Sequence, residues 1–253
     1  LNPPPGSGPG GRVLEDDLKR LLYIGAPPAA AAPPPRPLTM RERIARRMRE
    51  AMNSTAQYTL HTSAPAAGLL ALRARFKAAG SPVNINHMVV WCAVQALGQV
   101  PDINAAWTGG ELVRHQAIHI GFACDTPRGL LVPVVRDCAG LALAGLAARM
   151  EALAAQAAAG TIGPDDLAGG TFTVSNLGSF GIESFTPILT PPQVAILGVD
   201  AIQVRPVRRD GKVEFEDRIG LSLTLDHQAI DGAPGARFLQ LLCAAIAGIE
   251  GAA

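Results

Sequence analysis

The 253-residue chain reads as an α+β protein built around a mixed-sheet sandwich. Three observations lead there. Segments with apolar period two and period 3.6 are intermixed along the chain. They do not follow the strict strand–helix–strand alternation of a fully parallel sheet. Hydrophobic residues make up 48% of the chain, enough for one substantial core plus an appendage.

The elements follow in order. Gly6-Ser7-Gly8-Pro9-Gly10-Gly11 satisfies Gly-x-Gly-x-x-Gly, but the dinucleotide fingerprint needs a strand before it and a βαβ unit after it, and Pro9 stiffens the loop. Residues 26–37 are Ala/Pro-rich, have nothing to bury and read as a semi-rigid linker. Thr39 with Glu42 forms a capping box, and Met40, Ile44, Met48 and Met52 recur at helical spacing. The opposite face of that helix carries Arg41, Arg43, Arg46, Arg47 and Arg49, expected to be solvated, with one available to pair with a carboxylate.

Residues 58–63 alternate as a strand, and 69–76 and 87–97 read as helices. Stretches 118–123 and 130–135 are strand-like; 141–158 is an Ala-rich helix with Leu143, Leu146, Met150 and Leu153 on one side. A strand ends at Ser175-Asn176, where glycines begin a loop. Arg209-Asp210-Gly211-Lys212 is a hairpin turn, the strand-like run 219–224 leads into His227, and 233–249 closes the chain as a helix.

Composition excludes several function classes. A net charge of +1 and 4% aromatic residues speak against a nucleic-acid partner. Apolar runs such as 88–94 are far short of a membrane span, and no charged start with an apolar h-region opens the chain, so a soluble, cytoplasmic protein without a membrane partner is expected. Cys92, Cys124, Cys138 and Cys243 lie far apart in apolar settings and read as reduced thiols. His115 and His119 have i, i+4 spacing but no third ligand nearby, so no metal is expected; His61 and His87 suggest no special role.

Two stretches carry chemistry. In Leu225-Asp226-His227-Gln228-Ala229-Ile230-Asp231-Gly232, an imidazole that titrates near neutral pH precedes a carboxylate by four residues, which suits a general base. In Thr171-Phe172-Thr173-Val174-Ser175-Asn176-Leu177-Gly178, a hydroxyl is held at a strand end, either to cap the loop or to donate a hydrogen bond to a substrate. A serine hydrolase would need an elbow such as Gly-x-Ser-x-Gly, which Val174-Ser175-Asn176 lacks.

These stretches, with the Arg-rich helix from Pro37-Leu38 and the run from Asp125 to Asp137, resemble in collinear order the catalytic domain of the dihydrolipoamide acyltransferases of 2-oxo acid dehydrogenase complexes. The resemblance covers about residues 37 to 250. It implies a chloramphenicol-acetyltransferase-like two-layer sandwich over 38–253, and residues 1–25 resemble part of a peripheral subunit-binding domain. It further implies transfer of an acyl group, acetyl rather than branched-chain, between dihydrolipoamide and coenzyme A. His227 would be the base, Ser175 the oxyanion donor, and Asp231 an orienting group paired with Arg41 or Arg46. In the family the histidine and the serine come from neighbouring subunits, implying a homotrimer, within a cubic or icosahedral core. Decarboxylase and dihydrolipoamide dehydrogenase components are the implied partners.

No lysine stands in the Asp-Lys-Ala setting of a lipoyl domain, so the lipoyl group is expected from a domain outside this chain. Two residues depart from the family pattern: Gln228 stands where arginine is usual, which would weaken a subunit contact, and Asp200 where a small residue is usual. Two alternatives stay open, a scaffold protein of such a complex that does not turn over and a CoA-dependent acetyltransferase acting on another acceptor.

Overall fold

The computed structural model describes residues 5–24, 38–127 and 129–251. The chain divides into two units, Leu1–Thr39 and Met40–Ala253. In the first, helix α1 (Glu15–Ile24) opens on three acidic residues, favourable at the positive end of the helix dipole. The Asp17 carboxylate accepts from the backbone N–H groups of Ser7 and Leu14, which hold its pKa below the usual value and fold the glycine-rich loop onto the helix start. Val13, Leu14 and Leu18 stay exposed. The linker expected over 26–37 lies outside the described residues.

The second unit starts with α2 (Met40–Ser54), β1 (Gln57–Pro65), α3 (Ala67–Ala78) and α4 (Ile85–Gln99). Short strands follow: β2 (Ala105–Thr108), β3 (Glu111–Arg114), β4 (Ile120–Phe122), β5 (Cys124–Thr126), β6 (Gly129–Leu131) and β7 (Val134–Val135). Then come α5 (Leu143–Ala159), β8 (Phe172–Asn176), the long strands β9 (Ala195–Arg209) and β10 (Lys212–Asp226), and α6 (Gly232–Ala247). Six strands form one mixed sheet in the order β1-β10-β9-β8-β4-β7; β8 runs parallel to β4 and β9, the other pairs antiparallel.

The two faces of the sheet differ because the strands alternate. Leu221, Leu223 and Leu225 of β10, Leu197 and Val199 of β9, and Phe172 and Val174 of β8 are buried in the core with Leu69, Met88, Leu146 and Phe238 of the helices. Burying a side chain of this size contributes about 1.5–3 kcal/mol. The intervening residues give the other face a row of hydroxyls, with Thr59 bonded to Thr224 at 2.8 Å and Thr173 to Gln193 at 2.7 Å.

Three sequence expectations change in detail. The strand expected over 130–135 is broken into β6 and β7, because Pro133 has no N–H to give a ladder, although its carbonyl still accepts from Phe122. His87, given no special role, completes a capping box with Asn84 at the start of α4 and lies 3.2 Å from Glu151. The stripe of α2 is only partly covered, with Met40 and Met52 exposed. The Arg209–Lys212 turn is as expected, with Asp210 and Gly211 both at positive φ, the pair of conformations a two-residue hairpin loop requires.

Candidate active site

His227 follows the last residue of β10, where the chain leaves the sheet and turns into α6. A buried carboxylate fixes that turn. Asp226 Oδ1 accepts from the backbone N–H of Ala56 at 3.0 Å and of Gln228 at 3.1 Å, and the Asp226 carbonyl accepts from Ala229 and Ile230. The His227 N–H donates to the Ala56 carbonyl at 2.9 Å. The histidine loop is thereby tied to the α2–β1 junction from both sides.

The imidazole itself is 54% exposed. Its ring lies 4.7 Å from that of Tyr58, whose hydroxyl donates to the Ile230 carbonyl. Burial raises the Tyr58 pKa, with a further push from Asp231, so the phenol stays protonated. His227 Nδ1 faces Asp231 Oδ1 at 3.7 Å, too long for a hydrogen bond. Nε2 is thus turned away from the carboxylate. Asp231 is 88% exposed and occupies the N-cap of α6, where a negative charge is stabilised.

Among the described residues neither arginine expected to pair with Asp231 forms an ion pair with it: Arg46 bonds to Glu50 at 2.8 Å, because i, i+4 spacing puts that carboxylate one turn away. Gln228 holds its own chain together, donating to the Ser54 carbonyl and to Asp226.

Ser175 lies two strands across the sheet, at the C-terminal end of β8. It pairs with Gly198 of β9, which pairs with Ser222 of β10, five residues before His227. At about 3.3 Å per residue and 4.8 Å per strand, Ser175 and His227 of one chain are on the order of 20 Å apart. No thioester can touch both. The phenylalanine ring of Phe185 covers the serine's neighbour so closely that a Cβ on Gly198 would meet it at 2.9 Å. Beyond the end of β8 opens a cavity of about 730 Å³, whose lining includes Arg73, Asn86, Asn176, Ser179 and Asp200.

On the same face, Ser222 donates to Asp200 at 2.8 Å and pairs with His61 Nδ1 at 2.8 Å. Asp226, Tyr58 and this three-residue chain were missed by sequence reasoning; the acid beside His227 was the one available signal. All four cysteines have raised pKa values from burial, Cys92 to about 12 and Cys124 to about 11, and so remain thiols at neutral pH. Among the described residues, no group of three side chains could hold a metal ion, and no helix is long and apolar enough to cross a membrane.

Residues 36–252 match the family model of 2-oxoacid dehydrogenases acyltransferase (catalytic domain). The chain is 36% identical to the dihydrolipoyllysine-residue acetyltransferase component of the acetoin cleaving system of Bacillus subtilis, over 94% of this chain and 62% of that protein. It is also 36% identical to the succinyltransferase component of the 2-oxoglutarate dehydrogenase complex of Haemophilus influenzae, over 92% and 63%. The chain therefore spans less than two thirds of these relatives.

Among solved structures, Azotobacter vinelandii dihydrolipoamide acetyltransferase superposes with a TM-score of 0.80 at 34% identity, covering 89% of this chain and 98% of that one. That work concerned the roles of a serine, a histidine and an asparagine in its catalytic mechanism. The serine precedes the histidine by 52 positions, as Ser175 precedes His227, and the asparagine follows by four, where this chain has Asp231. A chloramphenicol acetyltransferase superposes at 0.51 with 17% identity, a likeness of fold alone, over 78% of this chain and 94% of that one. The chain belongs to the 2-oxoacid dehydrogenases acyltransferase (catalytic domain) family.

Proposed function

We propose that the protein transfers an acyl group, acetyl in the first instance, between dihydrolipoamide and coenzyme A, at a site completed by His227 of one subunit and Ser175 of the next. The observation that carries this reading is the pair of candidate half-sites: an exposed imidazole beside Asp231 at the end of β10, and a hydroxyl at the end of β8 on the order of 20 Å away. Closed cyclic assembly of identical chains can bring the His227 of one subunit against the Ser175 of the next, and a homotrimer is the ring in keeping with the family.

His227 Nε2 takes the proton from the attacking thiol, whose free pKa of ~8.5 lies only about two units above that of imidazole. The thiolate attacks the thioester carbonyl, and the Ser175 hydroxyl donates to the oxyanion of the tetrahedral intermediate. Collapse breaks the bond to the leaving sulfur, which takes the proton back from the imidazolium. Asp231 steadies the transient charge on the ring, a Coulombic effect in keeping with 3.7 Å. The coenzyme A thiol and the lipoyl dithiol are substrates, the latter presented by a lipoyl domain; no step needs a metal. Decarboxylase and dihydrolipoamide dehydrogenase components are the proposed partners, and the cytoplasm the proposed compartment. Incubating the protein with acetyl-CoA and dihydrolipoamide should yield acetyl-dihydrolipoamide and free coenzyme A. No transfer by a folded, assembled protein would leave the scaffold reading in its place.

A further inference from the structure

We propose that Asp200 makes the Ser175 site selective for acyl groups without a terminal carboxylate, so that acetyl is carried and succinyl is turned away. The inference deepens the reading above and rests on it. Overall similarity does not separate the two acyl groups cleanly: the Bacillus subtilis acetyltransferase and the Haemophilus influenzae succinyltransferase are each 36% identical to this chain.

The register decides what faces Ser175. Paired residues on adjacent strands project to one face, so Ser175 shares its face with Gly198, and Gly198 with Ser222. Asp200 is two residues beyond Gly198 and bonds to Ser222, which puts its carboxylate on that face as well. Its Cα is about 8 Å from that of Ser175 by strand spacing. Asp200 also lines the cavity at the end of β8, and its backbone is packed against Gly178 of the loop that follows Ser175.

The carboxylate is only 3% exposed, and one of its two oxygens, Oδ1, has no hydrogen-bond partner. The contrast with Asp226 is informative, because that equally buried acid has backbone donors and a glutamine around it. Among the described residues no arginine or lysine forms an ion pair with Asp200. Its one hydrogen bond comes from Ser222, whose hydrogen is committed to Asp200, so His61 Nδ1 must in turn donate to the Ser222 oxygen. Burial pushes the Asp200 pKa up, while the serine hydrogen bond and His61 act against that rise and support the anion.

An acetyl group ends in a methyl, which has nothing to lose beside an anion. A succinyl group carries a second carboxylate two methylenes beyond the thioester carbonyl, within the range at which like charges in a partly buried site repel by more than a factor of ten in affinity.

The test compares kcat/KM for succinyl-CoA and acetyl-CoA, with dihydrolipoamide as acceptor, in the wild-type protein, Asp200→Asn and Asp200→Ser. The wild type should favour acetyl-CoA, and both variants should raise the succinyl-to-acetyl ratio at least ~10-fold. A ratio that does not move while acetyl is transferred would overturn the inference and leave the acyltransferase reading intact. So would a wild type that carries succinyl as readily as acetyl. Failure of both variants to fold, or loss of their assembly by sedimentation, would make Asp200 a structural or interface group and equally overturn it. A wild type that transfers neither group would sink the acyltransferase reading itself.

Discussion

At the scale of single residues, the imidazole and the hydroxyl have separable roles. His227→Ala should lower turnover at least ~10²-fold, since general-base assistance is typically worth 10²–10⁴. A near wild-type rate would remove His227 from the mechanism. Ser175→Ala should depress kcat far more than it raises KM for either thiol, because an oxyanion donor acts chiefly in the transition state; steady-state kinetics separate the two. The cysteines should be bystanders. With their pKa values raised by burial, thiol-specific reagents at pH 7 should label the native protein slowly, and Cys124→Ser should keep its activity. Rapid inactivation by such a reagent, prevented in Cys124→Ser, would contradict this. His227 and Ser175 stand out in the sequence because the proposed chemistry needs those side chains in short motifs. Asp200, Ser222 and His61 were not legible as a group, because 139 positions separate His61 from Asp200 and only strand register joins them.

At the scale of elements, periodicity located most helices and strands, since each has an apolar face to bury, but not the details decided by tertiary contacts. The helix expected over 87–97 extends back to Ile85 because Asn84 and His87 cap it, a contact that apolar spacing does not encode. The cap has a pH signature. Burial lowers the His87 pKa, with Glu151 only partly opposing, and His87 Nδ1 accepts from the Asn84 N–H, so the folded chain resists the proton that the unfolded chain takes up near pH ~6.5. His87 therefore contributes stability above that pH, lost as pH falls toward its folded value. Urea midpoints should drop between about pH 7 and 5, and His87→Gln should flatten the slope. An unchanged slope would show that other groups govern it. The clamp at Asp226 offers a second test. Asp226→Ala leaves the Ala56 and Gln228 N–H groups without their acceptor and should cost about 1–3 kcal/mol in urea denaturation, while Asp226→Asn should cost less. Equal losses would show that the carboxylate acts by charge rather than as an acceptor.

At the scale of the whole molecule, the sequence's resemblance to its family foretold a sandwich with a mixed sheet, and the alternation along β10 is the physical reason it was readable: leucines face the helices and hydroxyls face away. What no alternation reveals is that His227 and Ser175 are two strands and five residues of register apart, on the order of 20 Å within one chain. In the proposed mechanism that separation makes catalysis a property of the assembly, and the most direct measurement mixes two variants expected to be inactive. His227→Ala and Ser175→Ala, dissociated and reassembled together, should regain activity, because random mixing around a cyclic ring pairs an intact histidine with an intact serine at about a quarter of the sites. Each protein taken alone through the same treatment should stay inactive. Mixed oligomers that form but show no activity above the separate variants would contradict a site shared between subunits.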